Sequence, residues 1–103
     1  MLERLMHDDE LARNVIAGFL EDIPLQIQAL KGYIENGDQK SAERQPHTIR
    51  GASANIGAEA LQATASKMEK YGRQANLPAM QASLSELDLQ FERLRAELQK
   101  EID

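Results

Sequence analysis

Apolar residues recur every three or four positions along most of the chain, and nowhere do they alternate with polar residues as in a half-buried strand. This spacing places apolar side chains on one face of an α-helix. The last helical segment shows it most clearly, in steps of four and three residues: Met80, Leu84, Leu87, Phe91, Leu94 and Leu98. The pattern therefore predicts an all-α protein.

The first helical segment is long and contains a proline. Its apolar stripe comprises Leu11, Val15, Phe19, Ile23, Ile27, Leu30 and Ile34. Pro24 interrupts this stripe, because it cannot donate a hydrogen bond to the carbonyl of Leu20 and its ring crowds that turn. We expect a kink, or two helices that meet near residues 22–24.

Turn residues separate the helical segments. In Asn36-Gly37-Asp38, the glycine suits a left-handed helix end and the aspartate suits an N-cap. Gly57 ends the second segment, and Pro78 follows a further break as a first-turn proline. Because these connections are short, successive helices should run antiparallel. We predict an up-and-down antiparallel four-helix bundle, with a short extra helix allowed at the N-terminus, and a single domain spanning residues 1–103.

Composition and charge exclude several functions. The chain has 103 residues, no cysteine and a net charge of −5. Disulfides and thiolate metal sites are absent, and an acidic protein is a poor partner for nucleic acid or an anionic membrane. No apolar run approaches the roughly 20 residues of a membrane-spanning helix. No phosphate-binding glycine loop occurs, so we expect no phosphorylation from ATP. His7 has no convincing set of co-ligands, and we predict no metal site.

The second helix carries a histidine on its outer face. If Ile49 marks the buried face, together with Ala42, Ala52, Ser53 and Ile56, then His47 lies about 160° away. Small residues and two arginines surround it on that face: Gly51, Ala54, Ala58, Arg44 and Arg50. Glycine is unfavourable inside a helix, and exposed helix positions usually carry longer polar side chains. The small residues leave the imidazole accessible to a second protein.

An accessible imidazole suits a phosphoryl carrier. The unperturbed pKa of histidine is about 6.5, so its neutral, nucleophilic form is available near pH 7. Arg50 lies one turn further along the same side, where its guanidinium can bind phosphoryl oxygens. We hypothesise that the outer ring nitrogen of His47 is phosphorylated. An ordinary surface histidine is the alternative.

The segment from His47 to Gly57 resembles the signature of histidine-containing phosphotransfer (HPt) domains. That signature is a histidine, two residues, a lysine or arginine and a glycine, then an apolar-glycine pair. His47, Arg50, Gly51 and the pair Ile56-Gly57 match it. The resemblance extends over nearly the whole chain, including the proline in the first long helix.

The resemblance implies that His47 accepts a phosphoryl group from a receiver-domain aspartate and passes it to another receiver aspartate. Arg50, Glu69 and Lys67 would neighbour the phosphoryl group, although a surface role is the alternative for Glu69 and Lys67. Receiver docking would involve Arg44, Gly51, Ala54 and Ala58. Glu69 would repel the phosphoryl group unless it accepts a hydrogen bond from the inner ring nitrogen.

The family also implies a setting for the domain. Receiver domains and an upstream sensor histidine kinase would be its partners, and Mg²⁺ would be bound by the receiver and not by this domain. The domain itself would be a carrier and not an enzyme. We expect a cytoplasmic, monomeric domain, cut from a larger membrane-anchored hybrid kinase or free-standing.

Two positions depart from the family pattern. Arg50 stands where lysine is commoner, which keeps the charge. Pro46 precedes the histidine, where a small residue is usual. Within a helix it removes the bond to the carbonyl of Ala42 and costs roughly 3 kcal/mol. We therefore expect Pro46→Ala to raise the melting temperature.

Two other functions fit the same pattern. A helical docking adaptor would use the small-residue face without accepting phosphate, and it would tolerate loss of His47. An oligomerising bundle would use the regular stripe of the last helix, although the domain's own core explains that stripe equally well.

Overall fold

The computed structural model describes residues 9–102, which form four α-helices. These are α1 (Asp9–Glu35), α2 (Gln39–Ile56), α3 (Glu59–Arg73) and α4 (Leu77–Ile102). No strand occurs within this range, and the predicted all-α helical bundle is confirmed. His7 and the possible extra N-terminal helix lie outside the described residues.

The four helices form a closed ring in chain order. Each helix packs against its neighbours in sequence, and α4 packs back against α1. At 1.5 Å per residue, the 27 residues of α1 extend about 40 Å, which matches the 43 Å length of the molecule. Because two or three residues connect consecutive helices, each helix must reverse direction relative to the one before it.

Most of the core comes from the predicted stripes of α1, α2 and α4, with one correction in α1. The stripe of α4 is buried throughout, from Met80 to Leu98. In α1, however, Leu11 and Val15 are 50% and 40% exposed, and Ile16 is buried instead. Residues four positions apart on a helix are rotated by about 40° around its axis. Leu11 lies three such steps before Ile23, so its side chain no longer points at the core.

The predicted helix ends between α1 and α3 are confirmed. Gly37 has a left-handed φ of 70°, and the Asp38 carboxylate accepts a hydrogen bond from the backbone N–H of Ser41 at 3.3 Å. Gly57 caps α2 with a φ of 75°. These two turns fix where α2 begins and ends, and thereby which of its faces meets the core.

Neither internal proline divides its helix. Pro24 lies inside α1, which is continuous from Asp9 to Glu35, so the prediction of two helices near residues 22–24 is wrong. Its ring is on the exposed side of the helix, where the lost hydrogen bond to Leu20 can be replaced by water. Pro46 lies inside α2, and its ring is fully buried as part of the core.

Candidate functional site

His47 lies in the middle of α2 on the side that faces solvent. Its side chain is 63% exposed, whereas Pro46 and Ile49 on either side are buried. The outward position follows from the register of α2, whose core face carries Ala42, Pro46, Ile49, Ser53 and Ile56. The predicted orientation of the histidine is therefore what the helix adopts.

Glu69 reaches His47 from the neighbouring helix α3. Its carboxylate Oε2 lies 2.6 Å from Nδ1 of the imidazole, and only 12% of its side chain is exposed. At this distance the Nδ1–H group donates a hydrogen bond to the carboxylate. A neutral imidazole carries one ring proton, so this bond leaves the lone pair on Nε2.

Two arginines lie beside the carboxylate of Glu69. Arg50 Nε lies 3.1 Å from Glu69 Oε1, although its N–H does not point along a hydrogen bond, and Arg73 Nη1 lies 3.8 Å from the same oxygen. Arg50 Nη2 also lies 2.9 Å from Nδ1 of His47. Because Nδ1 cannot donate to Glu69 and accept from Arg50 at once, the two contacts correspond to opposite ring tautomers. The carboxylate contact, which is shorter, favours the proton on Nδ1.

A groove between α2 and α3 runs beside the histidine. It is lined by Lys40, Glu43, Arg44, His47, Thr48, Glu69 and Arg73. With Arg50 at its edge, the groove carries more cationic than anionic side chains, on a molecule whose net charge is −5. An anionic group is therefore better accommodated here than the overall charge of the protein suggests.

The face of α2 next to the histidine is flat. Gly51 and Ala54 are exposed, and a Cβ placed on Gly51 would meet nothing within 4 Å. Arg44 is exposed on the same side of α2. Three of the four residues predicted for receiver docking therefore lie together on the surface.

Ala58, the fourth predicted docking residue, does not lie on that face. It is 4% exposed and belongs to the core, at the residue before α3 begins. The helical wheel places Ala58 outward only if α2 continues that far. The left-handed turn at Gly57 redirects the chain, so the extrapolation fails one residue beyond the helix.

Lys67 is not brought to the histidine either. Its Nζ lies 2.5 Å from Oε2 of Glu86 on α4, and this hydrogen bond raises the pKa of Lys67 above its ordinary value. Lys67 lies two positions before Glu69, which corresponds to about 200° around α3. Only one of the two can face α2, and the structure places Glu69 there.

Arg73 and Lys40 join the site without having been predicted. The sequence spacing of both residues could have identified them as candidates for the site. Arg73 lies four residues after Glu69 on α3, and Lys40 lies seven residues before His47 on α2, so each shares a helix face with a residue already singled out.

The fold and this geometry define a class of protein: a four-helix bundle whose second helix exposes a histidine that is hydrogen-bonded at Nδ1 to a largely buried carboxylate. The family model described as Hpt domain matches residues 14–97, so the chain belongs to the Hpt domain family. No curated sequence matches the chain. Histidine-containing phosphotransfer protein B (HptB) from Pseudomonas aeruginosa PAO1 has a similar fold, with a TM-score of 0.89 and 22% sequence identity. The match covers 98% of this chain and 86% of HptB.

The four helices between residues 9 and 102 also bear on membrane and metal binding. None of the helices there is sufficiently long and apolar to cross a membrane. Nor do three or more His, Asp or Glu side chains among residues 10–100 converge as metal ligands.

Proposed function

We propose that this domain is a phosphorelay intermediate, which accepts a phosphoryl group on Nε2 of His47 from one receiver-domain aspartate and passes it to another. Membership of the Hpt family supports a role in histidine phosphotransfer. The observation that carries the residue assignment is the 2.6 Å contact of Nδ1 with Glu69 on a side chain that is 63% exposed. That contact leaves Nε2 both unprotonated and accessible.

In the first transfer, the Nε2 lone pair attacks the phosphorus of the aspartyl phosphate. The N–P bond forms while the P–O bond to the aspartate breaks, and the carboxylate leaves with the bonding electrons. The proton on Nδ1 stays in place, so the ring becomes cationic as it gains the phosphoryl group. Glu69 stabilises this developing positive charge. In the second transfer the steps reverse, and the neutral imidazole leaves.

Arg50 is placed to assist the anionic part of the reaction. It is half-exposed one turn from His47 and already contacts Nδ1. A rotation of its side chain would bring the guanidinium to the phosphoryl oxygens, where charge-assisted hydrogen bonds are strong. Arg73 would remain with Glu69 when Arg50 leaves, so the carboxylate keeps a cationic partner.

The receiver docks, on this proposal, against the flat face formed by Gly51, Ala54 and Arg44. Small side chains allow the partner's backbone to approach, which brings its aspartate within reach of Nε2. The cationic groove beside the face suits the acidic phosphorylation site of a receiver. Mg²⁺ would be bound by the receiver, which supplies the charge stabilisation for P–O cleavage.

A cytoplasmic domain of a larger, membrane-anchored hybrid kinase fits this role, and so does a free-standing carrier fed by an upstream sensor kinase.

The test mixes the domain with phosphorylated receivers and measures its intact mass, with His47→Ala as the matched variant. We expect an acid-labile gain of one phosphoryl group in the wild type and none in the variant. A gain retained by His47→Ala would place the phosphoryl group elsewhere. If several receivers bind but transfer nothing, and His47→Ala binds them equally well, the domain is a docking adaptor. The flat face at Gly51 and Ala54 would serve either function.

A further inference from the structure

The backbones of α2 and α3 lie close together at Gly72, next to the site. A Cβ added to Gly72 would lie 2.8 Å from the Cα of Glu43 and 3.2 Å from its Cβ. Because a Cα cannot move without its helix, any side chain at residue 72 would push the two helices apart. The carbonyl oxygen of Gly72 also accepts a hydrogen bond from Gln39 Nε2 at 2.6 Å. Gly72 therefore holds α3 against the first half of α2.

This contact lies one turn from the histidine and its carboxylate partner. His47 follows Glu43 by four residues on α2, and Glu69 precedes Gly72 by three residues on α3. The two helices are antiparallel, so both steps run in the same direction, by roughly 4.5–6 Å along the bundle. The Gly72–Glu43 contact thus sets the separation of the helices where Glu69 meets His47.

Gly72 differs in this respect from the other glycines within the helices. A Cβ at Gly18, Gly32 or Gly51 would meet nothing within 4 Å. Glycine is unfavourable in the interior of a helix. At residue 72 the close approach of the neighbouring helix backbone explains why a glycine is present.

We infer that Gly72 is a positioning residue: by allowing α2 and α3 to approach, it holds Glu69 against Nδ1 of His47 and so maintains the tautomer whose Nε2 is nucleophilic. The importance of this tautomer for transfer rests on the proposed function. A small separation of the helices is enough to matter, because the contact between Glu69 Oε2 and His47 Nδ1 is only 2.6 Å long, and Arg73 lies beside the same carboxylate on its own helix, α3. A catalytic group displaced by about 1 Å can lose its effect.

The experiment compares Gly72→Ala with Gly32→Ala, whose added methyl group enters open space on α1. The ¹⁵N chemical shifts of the His47 ring, measured where the ring is neutral, report the tautomer. Single-turnover transfer from a phosphorylated receiver reports the rate constant and the KM for the donor. In Gly72→Ala we expect a smaller Nδ1–H fraction and a rate constant lower by roughly tenfold, with KM little changed. Gly32→Ala should match the wild type.

A folded Gly72→Ala domain with wild-type ring shifts would overturn the inference and leave Gly72 with a packing role only. If Gly72→Ala does not fold, Gln39→Ala replaces it, because it removes the hydrogen bond to the Gly72 carbonyl without adding an atom. It should shift the tautomer in the same direction, and an unchanged tautomer would again overturn the inference. The ring shifts are measured on the unphosphorylated domain, so they decide the role of Gly72 even if no receiver transfers a phosphoryl group.

Discussion

His47, Glu69 and Arg50 form one unit at the scale of single residues, because each contacts the other two. A substitution of one changes the protonation or the orientation of the others. The effects of substituting two of them should therefore not add, in contrast to substitutions at distant positions.

Arg50 and Lys67 provide a test of which cations belong to this unit. We expect Arg50→Ala to slow phosphotransfer roughly tenfold or more, because charge-assisted hydrogen bonds to a phosphoryl group contribute about 1.5–3 kcal/mol. Lys67→Ala should leave the transfer rate within about twofold, because its side chain is paired with Glu86 on α4. Single-turnover assays of the two variants measure both effects. Equal losses in both would mean that Lys67 reaches the phosphoryl group after all.

At the scale of elements, α2 must present His47 outward while accommodating a proline directly before it. The buried ring of Pro46 makes the residue part of the core. Its cost to the helix and its contribution to packing therefore oppose each other, which the sequence alone did not indicate.

Pro46→Ala should still raise the melting temperature, but only slightly. Removal of the proline from the helix adds about 3 kcal/mol to the free energy of unfolding. The loss of two buried methylenes subtracts about 1.6 kcal/mol, and the greater freedom of the unfolded chain subtracts about 0.7 kcal/mol. The expected gain is thus below about 1 kcal/mol. Thermal unfolding followed by circular dichroism measures it. A clear decrease in melting temperature would show that α2 accommodates the proline with little strain.

At the scale of the whole molecule, the apolar stripe of α4 is used within the bundle. Every residue of that stripe from Met80 to Leu98 is buried against the other helices. Among the large apolar side chains of residues 10–100, those that remain exposed are Leu11, Val15, Leu25 and Leu89, of which only Leu89 lies on α4.

The domain should therefore be monomeric. Light scattering coupled to size exclusion should give a mass near 11.5 kDa that does not depend on protein concentration. A mass near twice that value would revive the oligomerising bundle, with the exposed residues of α1 as the first surface to substitute.

The amino-acid sequence by itself determined the number and order of the helices and the outward position of His47. Helical periodicity and turn residues such as Gly37 and Gly57 are local signals, and they act within a few residues of where they stand. The signature that carries the HPt resemblance likewise lies in one short segment, from His47 to Gly57. For this reason, the phosphoacceptor residue could be proposed before its surroundings were known.

Only the tertiary structure decided which side chains surround the histidine. Whether Glu69 or Lys67 meets His47 depends on the rotation of α3 about its axis, which packing against two other helices sets. The burial of Ala58 depends on the turn at Gly57, and the exposure of Leu11 depends on how far α1 rotates away from the core. The contact between Gly72 and Glu43 joins residues 29 positions apart, and such distances are beyond what local periodicity can determine.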